Sequence, residues 1–542
     1  MKSDSIGPPE PLPPGHGRTR SALLLLLACL WLALLGARAL VSADEGRYAT
    51  LSLGMLQSGD WIVPRLNGLL YFEKPPLQYW GGALALGLLG ANEFAARLWP
   101  GLSGLAAVAL LGFTARRLAG PRVGWCALLA GGSTTWIVVN SQFLSLDAGL
   151  TAALTLVLCA LLLAEHEPVR RRRWLLLAWF GMALAVLGKG LIGVVIPAAA
   201  LLLRAAWERD PWFWRGLEWR RGMPLFLLVA APWFVAMTWR QPEFARFFFV
   251  HEHFERFLTP VHRREGAWWT FLPLLALGLL PWTAALPGLL RARSSGERLM
   301  LAWAAFVLVF FSASSSKLPS YILPMFPPLV LLLAPRLAQA STRQLGRWLA
   351  LAALAWAALL AAAPFATRWA GPQTPPEVLA ALARGLALAA ALFLAGAALA
   401  AVALRRGARD AAVTTIAVAH LLALFVAIAA HDHYGQLKTS AVLARTIAPD
   451  LPVFAVRAYD QTLPFYLRRD VTLVDIVDEF ELGERLEPGR WIPTLDAFAE
   501  RWRGLPRAAV YVERDTLAEL RARGVEGRVA FEDPRRIVIV KP

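Results

Sequence analysis

Residues Val41–Trp80 read VSADEGRYATLSLGMLQSGDWIVPRLNGLLYFEKPPLQYW. They follow an apolar run, open on the adjacent acids Asp44 and Glu45, and close on Tyr71, Glu73, Lys74 and two prolines. Most of the chain that follows is apolar and helix-patterned. A polar segment punctuated by Gly and Pro in such company is either a solvent loop or a functional site.

The bulk composition sets the class. Of 542 residues, 57% are hydrophobic and 17% charged, with mean hydropathy +0.50. Soluble domains carry about 25% charged residues. The chain therefore reads as a polytopic membrane protein. Its net charge of +17 fits Lys and Arg retained on the cytoplasmic side and attraction to anionic lipid or phosphate. Cys29, Cys126 and Cys159 all lie in apolar runs, so no zinc finger or disulfide framework is encoded. Walker A, GxGxxG, GxSxG and HExxH motifs are absent, and no soluble nucleotide site is expected.

Residues 1–20 are Pro/Gly-rich and read as a disordered cytoplasmic tail. Ser21 to Val41 is long enough to span, at about 20 residues. Further candidate spans are 95–115, 121–140, 147–164, 174–188, 190–206, 223–239, 269–290, 299–313, 319–335, 346–366, 378–404 and 412–430, about thirteen in all. The pair 174–188 and 190–206 breaks at Gly188-Lys189-Gly190. The run Arg170–Arg173 fixes orientation as the strongest cytoplasmic cluster. Parity then makes 76–90 a re-entrant or interfacial helix within a structured first external loop, 42–94. From residue 433 the composition turns charged. Strand-like runs at 453–459, 471–477, 508–513 and 536–541 and a helix-like stretch, Leu495 to Arg503, predict a soluble external α/β domain over 433–542. The expected fold is thus an all-α transmembrane domain, 21–432, followed by that domain.

The same parity puts four polar clusters on the outer face: Asp44-Glu45 with Glu73-Lys74, Asp147, HEHFERF (251–257) and SSSKLPSY (314–321). Charges near apolar helix ends are costly and either functional or snorkelling. Asp44 reads as a helix-end acid or as a carboxylate that orients or deprotonates an acceptor, with Glu45 beside it. Asp147 reads as a helix N-cap or a second functional carboxylate. Lys74, held by Pro75 and Pro76 at a helix start, suits a phosphate, as does Arg256. Lys317, Tyr321, Tyr48 and Tyr71 are further donors. Glu73 with His251, or His253 as the alternative, makes a two-residue metal candidate. Lys189 is a lone membrane cation or a snorkelling one.

In order, DEGRYA, YFEKPPLQYW, NEFAARLW, LSLDAGL, LGKG, HEHFERF and SKLPSYILP resemble the polyprenyl-phosphate-dependent glycosyltransferases of the GT-C class. The resemblance is in particular to the bacterial lipid A aminoarabinose transferase family, related to protein O-mannosyltransferases. It implies a multi-pass inner-membrane enzyme with its active site facing the periplasm. It further implies an undecaprenyl-phosphate sugar donor, aminoarabinose or hexosamine, and lipid A or another periplasmic acceptor. Asp44 and Asp147 match the family's functional aspartates. Lys74, Arg256, Tyr48, Tyr71 and Tyr321 match residues about the donor phosphate. Glu73 and His251 match a metal position, for zinc or magnesium. No nucleic acid is implied; membrane lipids are. The alternatives are a protein or other-glycan transferase of the same fold and a lipid or solute transporter. A transporter should show paired repeats, and none is evident.

Overall fold

The computed structural model describes residues 17–249, 266–476 and 478–541. His251, His253 and Arg256 lie outside them. The chain divides into two compact units. One comprises residues up to Leu34, Pro100–Ala361 and Leu386–Ile428; the other comprises Leu35–Trp99, Ala362–Gly385 and Ala429–Pro542.

The helices of the chain begin with α1 (Gly17–Ala33), α2 (Asp44–Ser58), α3 (Leu77–Leu89), α4 (Glu93–Ala119), α5 (Pro121–Ser133) and α6 (Thr135–Gln142). They continue with α7 (Leu146–His166), α8 (Arg171–Lys189), α9 (Ile192–Glu208) and α10 (Trp219–Arg240), and later long helices follow. Helix α1 starts at Gly17, so the last four residues of the expected tail are helical. Among the described residues nine helices are long and apolar enough to cross a membrane, or up to eleven if α5 with α6 and Phe271–Gly278 with Thr283–Leu289 each count as one bent span. The expected figure was about thirteen. The difference is α8, which carries Arg171–Arg173 and Lys189, and α9, with only 17 residues. The break between them falls at Gly190, whose φ of +89° suits glycine. The bundle core is one continuous apolar cluster running from Trp31 through Leu154 and Trp303 to Phe425.

In the other unit, the first loop is largely ordered structure. Helix α2 begins with two acids in its first turn, at the positive end of its dipole. It ends at Gly59, φ +69°, whose N–H donates to the Met55 carbonyl. A two-residue hairpin follows, β1 (Arg65–Leu66) with β2 (Leu69–Leu70). The apolar helix α3 has 13 residues, too few to span alone.

The C-terminal part holds a five-stranded sheet of order β4-β3-β5-β7-β6. Its strands are β3 (Val453–Val456), β4 (Thr472–Val474), β5 (Ala508–Val512), β6 (Arg528–Glu532) and β7 (Ile537–Lys541). Strand β3 pairs parallel with β4 and β5; β7 pairs antiparallel with β5 and β6. Strands β3 and β5 are buried at every residue, as expected of central strands covered on both faces. The helix Leu495–Gly504 packs Phe498 and Trp502 into this core. Two boundaries differ from expectation. The helix Arg409–Gly435 runs past residue 432, and β6 is an additional strand. Strand β6 is an edge strand with exposed ends, so it carries little apolar signal.

Candidate active site

Asp44 and Glu45 are neighbours with different surroundings. The Glu45 side chain is 3% exposed and the Asp44 side chain 44%. Glu45 accepts from Arg97 Nε at 2.6 Å and Nη2 at 2.8 Å, and from the Val41 N–H at 3.1 Å. Arg97, fully buried, gives its other N–H groups to the carbonyls of Leu35 (2.9 Å), Arg38 (2.7 Å) and Ala39 (2.7 Å). A buried charge survives only when paired and hydrogen-bonded like this. Glu45 is thereby a structural anchor for the start of α2. Asp44 is left at the surface of the site.

Arg47, one turn along, donates from Nη1 to Asp44 at 2.6 Å and from Nε to Glu479 at 2.5 Å. Gln461 Nε2 donates to the other Glu479 oxygen at 2.9 Å, and Ser42 Oγ donates to Gln461 Oε1. Burial opposes the Arg47 charge, but Tyr71, Glu479, Tyr48 and Asp44 outweigh it and hold the guanidinium above its ordinary range. Burial raises the Glu479 carboxyl above its usual value, with Arg47 opposing. The C-terminal domain thus contributes Glu479 and Gln461 beside Asp44.

Tyr48 and Tyr71 are buried, and Tyr48 stacks on Tyr79 with ring centroids 6.3 Å apart. Burial, with Asp44 about Tyr48 and Glu73 about Tyr71, pushes both phenols well above the tyrosine range. Both are therefore hydrogen-bond donors rather than bases at neutral pH. Lys74 Nζ donates to the Glu73 carbonyl at 2.8 Å and lies 3.9 Å from the Glu73 carboxylate. Among the described residues no three His, Cys, Asp or Glu side chains surround one point. The described part of the chain supplies Glu73 alone to the expected metal pair, which does not by itself make a metal site.

The remaining predicted residues fall in the transmembrane unit. Asp147 lies in the first turn of α7, after Ser145 at the N-cap position. It is not an N-cap: its carboxylate takes an ion pair from Lys189. Lys189 is accordingly not a lone cation, and its ammonium also lies 4.6 Å from the Tyr321 ring centroid. Lys317 Nζ donates to the carbonyls of Phe311 at 3.1 Å and Ser312 at 2.6 Å, and to that of Ser314. That caps the end of the helix Ser295–Ala313. Desolvation lowers the Lys317 ammonium below the usual lysine value.

Arg47, Arg97, Gln461 and Glu479 were not singled out from sequence. Arg97 sits in the quoted NEFAARLW, and a charge inside an apolar helix is itself a signal. Arg47 is spaced i, i+3 from Asp44, a helical pairing distance. Glu479 and Gln461 carry no local signal.

Known proteins share this chain's organisation. Residues 18–248 match the dolichyl-phosphate-mannose-protein mannosyltransferase family, and residues 428–541 the aminoarabinose transferase C-terminal domain. Undecaprenyl phosphate-α-4-amino-4-deoxy-L-arabinose arabinosyl transferases are similar in sequence. That of Edwardsiella ictaluri is 34% identical over 331 residues, 58% of each chain. That of Pseudomonas aeruginosa is 36% identical over 334 residues, 59% of this chain and 60% of the relative. The chain thus spans about three fifths of the length of these curated relatives. The crystal structure of ArnT from Cupriavidus metallidurans bound to undecaprenyl phosphate is 34% identical, with a TM-score of 0.92, over 97% of this chain and 98% of that one. The apo structure superposes with a TM-score of 0.91. With this identity across nearly the full length of both chains, the protein belongs to the ArnT family of GT-C glycosyltransferases, the undecaprenyl phosphate-aminoarabinose arabinosyl transferases.

Proposed function

We propose that the protein transfers 4-amino-4-deoxy-L-arabinose from undecaprenyl phosphate to a lipid A phosphate at the periplasmic face of a bacterial inner membrane. The observation that carries this reading is the full-length likeness to an ArnT bound to undecaprenyl phosphate. The acidic group about Arg47 supports it. Asp44 and Glu479 pair with Arg47, and Glu73 acts on Glu479 with Lys74 beside it; three carboxylates against two cations suit a sugar bearing an ammonium, which a neutral hexose lacks.

In this reading the acceptor phosphate oxygen attacks the anomeric carbon. The bond to the undecaprenyl phosphate oxygen breaks, and the anomeric centre inverts. Lys74, with Arg256, stabilises the charge that develops on the leaving phosphate. The protonated Tyr48 and Tyr71 donate hydrogen bonds to anionic oxygens. The nucleophile is already anionic, so Asp44 is not required as a base. It orients the acceptor or stabilises positive charge on the sugar ring, and Arg47 fixes its rotamer. In the transmembrane unit, Asp147 serves as the second functional aspartate, held by Lys189. In this reading Glu73 and His251 would hold a zinc or magnesium ion, which would supply positive charge beside the anionic oxygens.

The match to protein mannosyltransferases over 18–248 favours a second reading, a Ser or Thr hydroxyl acceptor. Asp44 would then have to act as general base. One experiment separates the readings. Lipid A from cells with and without the protein is compared by mass spectrometry, with the Asp44→Asn variant alongside. A mass increment of one aminopentose, lost in Asp44→Asn while undecaprenyl phosphate binding persists, supports the first reading. Unchanged lipid A shifts the acceptor to protein or another glycan.

A further inference from the structure

The helices Thr342–Ala362 and Pro376–Arg405 leave a groove of about 620 Å³ between them. That lies within the range of small-molecule sites, about 300–1,000 Å³. Small side chains make the space: Gly346, Ala350 and Ala353 on one helix, Ala397, Ala398 and Ala401 on the other. The mouth is different. It carries Arg343 and Arg405, both exposed, at the two helix ends that meet there.

Neither arginine has a carboxylate partner among the described residues. Asp410, the nearest acid along the chain after Arg405, is already taken by Arg122 at 2.8 Å. Exposed Arg347 and Arg406 add charge in the same two segments. The loop after Arg405, RRGARD, is the kind of cluster that stays cytoplasmic. The groove therefore opens at the cytoplasmic leaflet, the one that presents anionic headgroups to basic pockets between helices.

We propose that this groove binds an anionic glycerophospholipid. Its phosphodiester sits between Arg343 and Arg405, and an acyl chain lies along the alanine floor. Both features are needed. Free phosphate would leave the apolar floor empty, and a zwitterionic lipid would bring its own cation to the arginines.

The test uses the full-length protein in detergent, titrated with phosphatidylglycerol or phosphatidylcholine and read by native mass spectrometry. The native protein should retain phosphatidylglycerol about tenfold or more over phosphatidylcholine. Each arginine near an anionic surface contributes roughly fivefold in affinity, so R343Q/R405Q should bind phosphatidylglycerol about twenty-five-fold more weakly. A350L/A398L fills the groove from two exposed positions and keeps both charges; it should lose the lipid too, with an unchanged melting temperature. Three results would overturn the proposal. One is unchanged retention in R343Q/R405Q. Another is displacement of the lipid by inorganic phosphate alone. The third is stoichiometric competition by undecaprenyl phosphate, which would give the groove to the donor.

Discussion

Replacing Arg97 by Gln should loosen the first loop without touching any group proposed to react. The guanidinium makes two contacts to Glu45 and three to backbone carbonyls, all within 2.9 Å. Glutamine reaches one or two of these. Glu45 then loses its two-pronged partner while it stays buried, beside the Val41 N–H and with Arg38 Nη1 4.0 Å away. Breaking one side of a buried pair costs about 3–5 kcal/mol. At roughly 1.4 kcal/mol per tenfold, the start of α2 should open about a hundred to several thousand times more often. Hydrogen exchange on the amides of α2 reads that opening directly. Protection should fall by that factor in R97Q, and transfer should fall with it, while undecaprenyl phosphate still binds. The double variant E45Q/R97Q removes both charges and should recover part of the protection, because no buried carboxylate is left uncompensated, although the carbonyls of Leu35, Arg38 and Ala39 still lose their donor. If R97Q leaves α2 protection intact, or if the double variant is no better than the single one, the clasp does not hold Asp44 in place.

Two further substitutions and a pH profile test the surroundings of Asp44. Glu479→Gln should cut transfer by about ten- to a hundredfold, as loss of one positioning contact does, with fold and donor binding retained. Native transfer should also fall as pH drops through the raised Glu479 value, which lies above the ordinary 4.5. Heat stability should move the opposite way, because a buried carboxyl with a raised pKa stabilises the fold in its protonated form and loses that contribution as pH rises. In Glu479→Gln the acid limb of the activity profile should be missing. Gly46→Ala places a methyl 2.5 Å from the backbone of Gln461 and Thr462, so it should cost about 1–3 kcal/mol. Limited proteolysis of the C-terminal domain should quicken measurably, and unchanged kinetics would show the backbone approach to be loose.

Much of the architecture is legible in sequence because it rests on one-dimensional signals. Long apolar runs give helices, and the parity of the basic loops predicts 76–90 as a segment that does not span; α3, with 13 residues, is too short to span alone. Fully buried strands read as VFAV and AAVYV. RVAFE does not, because an edge strand keeps exposed side chains and offers no apolar run. The active site is less legible for the same kind of reason. Asp44, Tyr48, Glu73 and Lys74 stand out by type and place. Arg47 gains its meaning from Glu479, 432 positions away, and Asp147 from Lys189, 42 positions away. No local pattern encodes such pairings, since the fold alone brings their partners together.

Those long-range pairings also bear on what the C-terminal domain does. Were it an appendage, its contacts with the first loop would be few and exchangeable. They are instead specific and spread over the loop's length. Gly46 meets the backbone of Gln461 and Thr462 where no side chain would fit, and Thr50 Oγ1 donates to the Gln461 carbonyl at 3.0 Å. The hairpin tip, with Asn67 at φ +51°, exchanges two hydrogen bonds with Val471, at 2.7 and 2.8 Å. Arg65 pairs with Glu487 at 2.9 Å. Helix α2 is therefore held at its first turn by Arg97 and along its side by residues 461–462, while the following hairpin is held by β4 and its neighbours. In the role proposed for Asp44, a carboxylate on an exposed loop would sample many positions, and small misplacements cost large factors in rate. The domain supplies the rigidity that the loop's own short elements lack, and Glu479 is the point at which that support reaches Arg47 and, through it, Asp44.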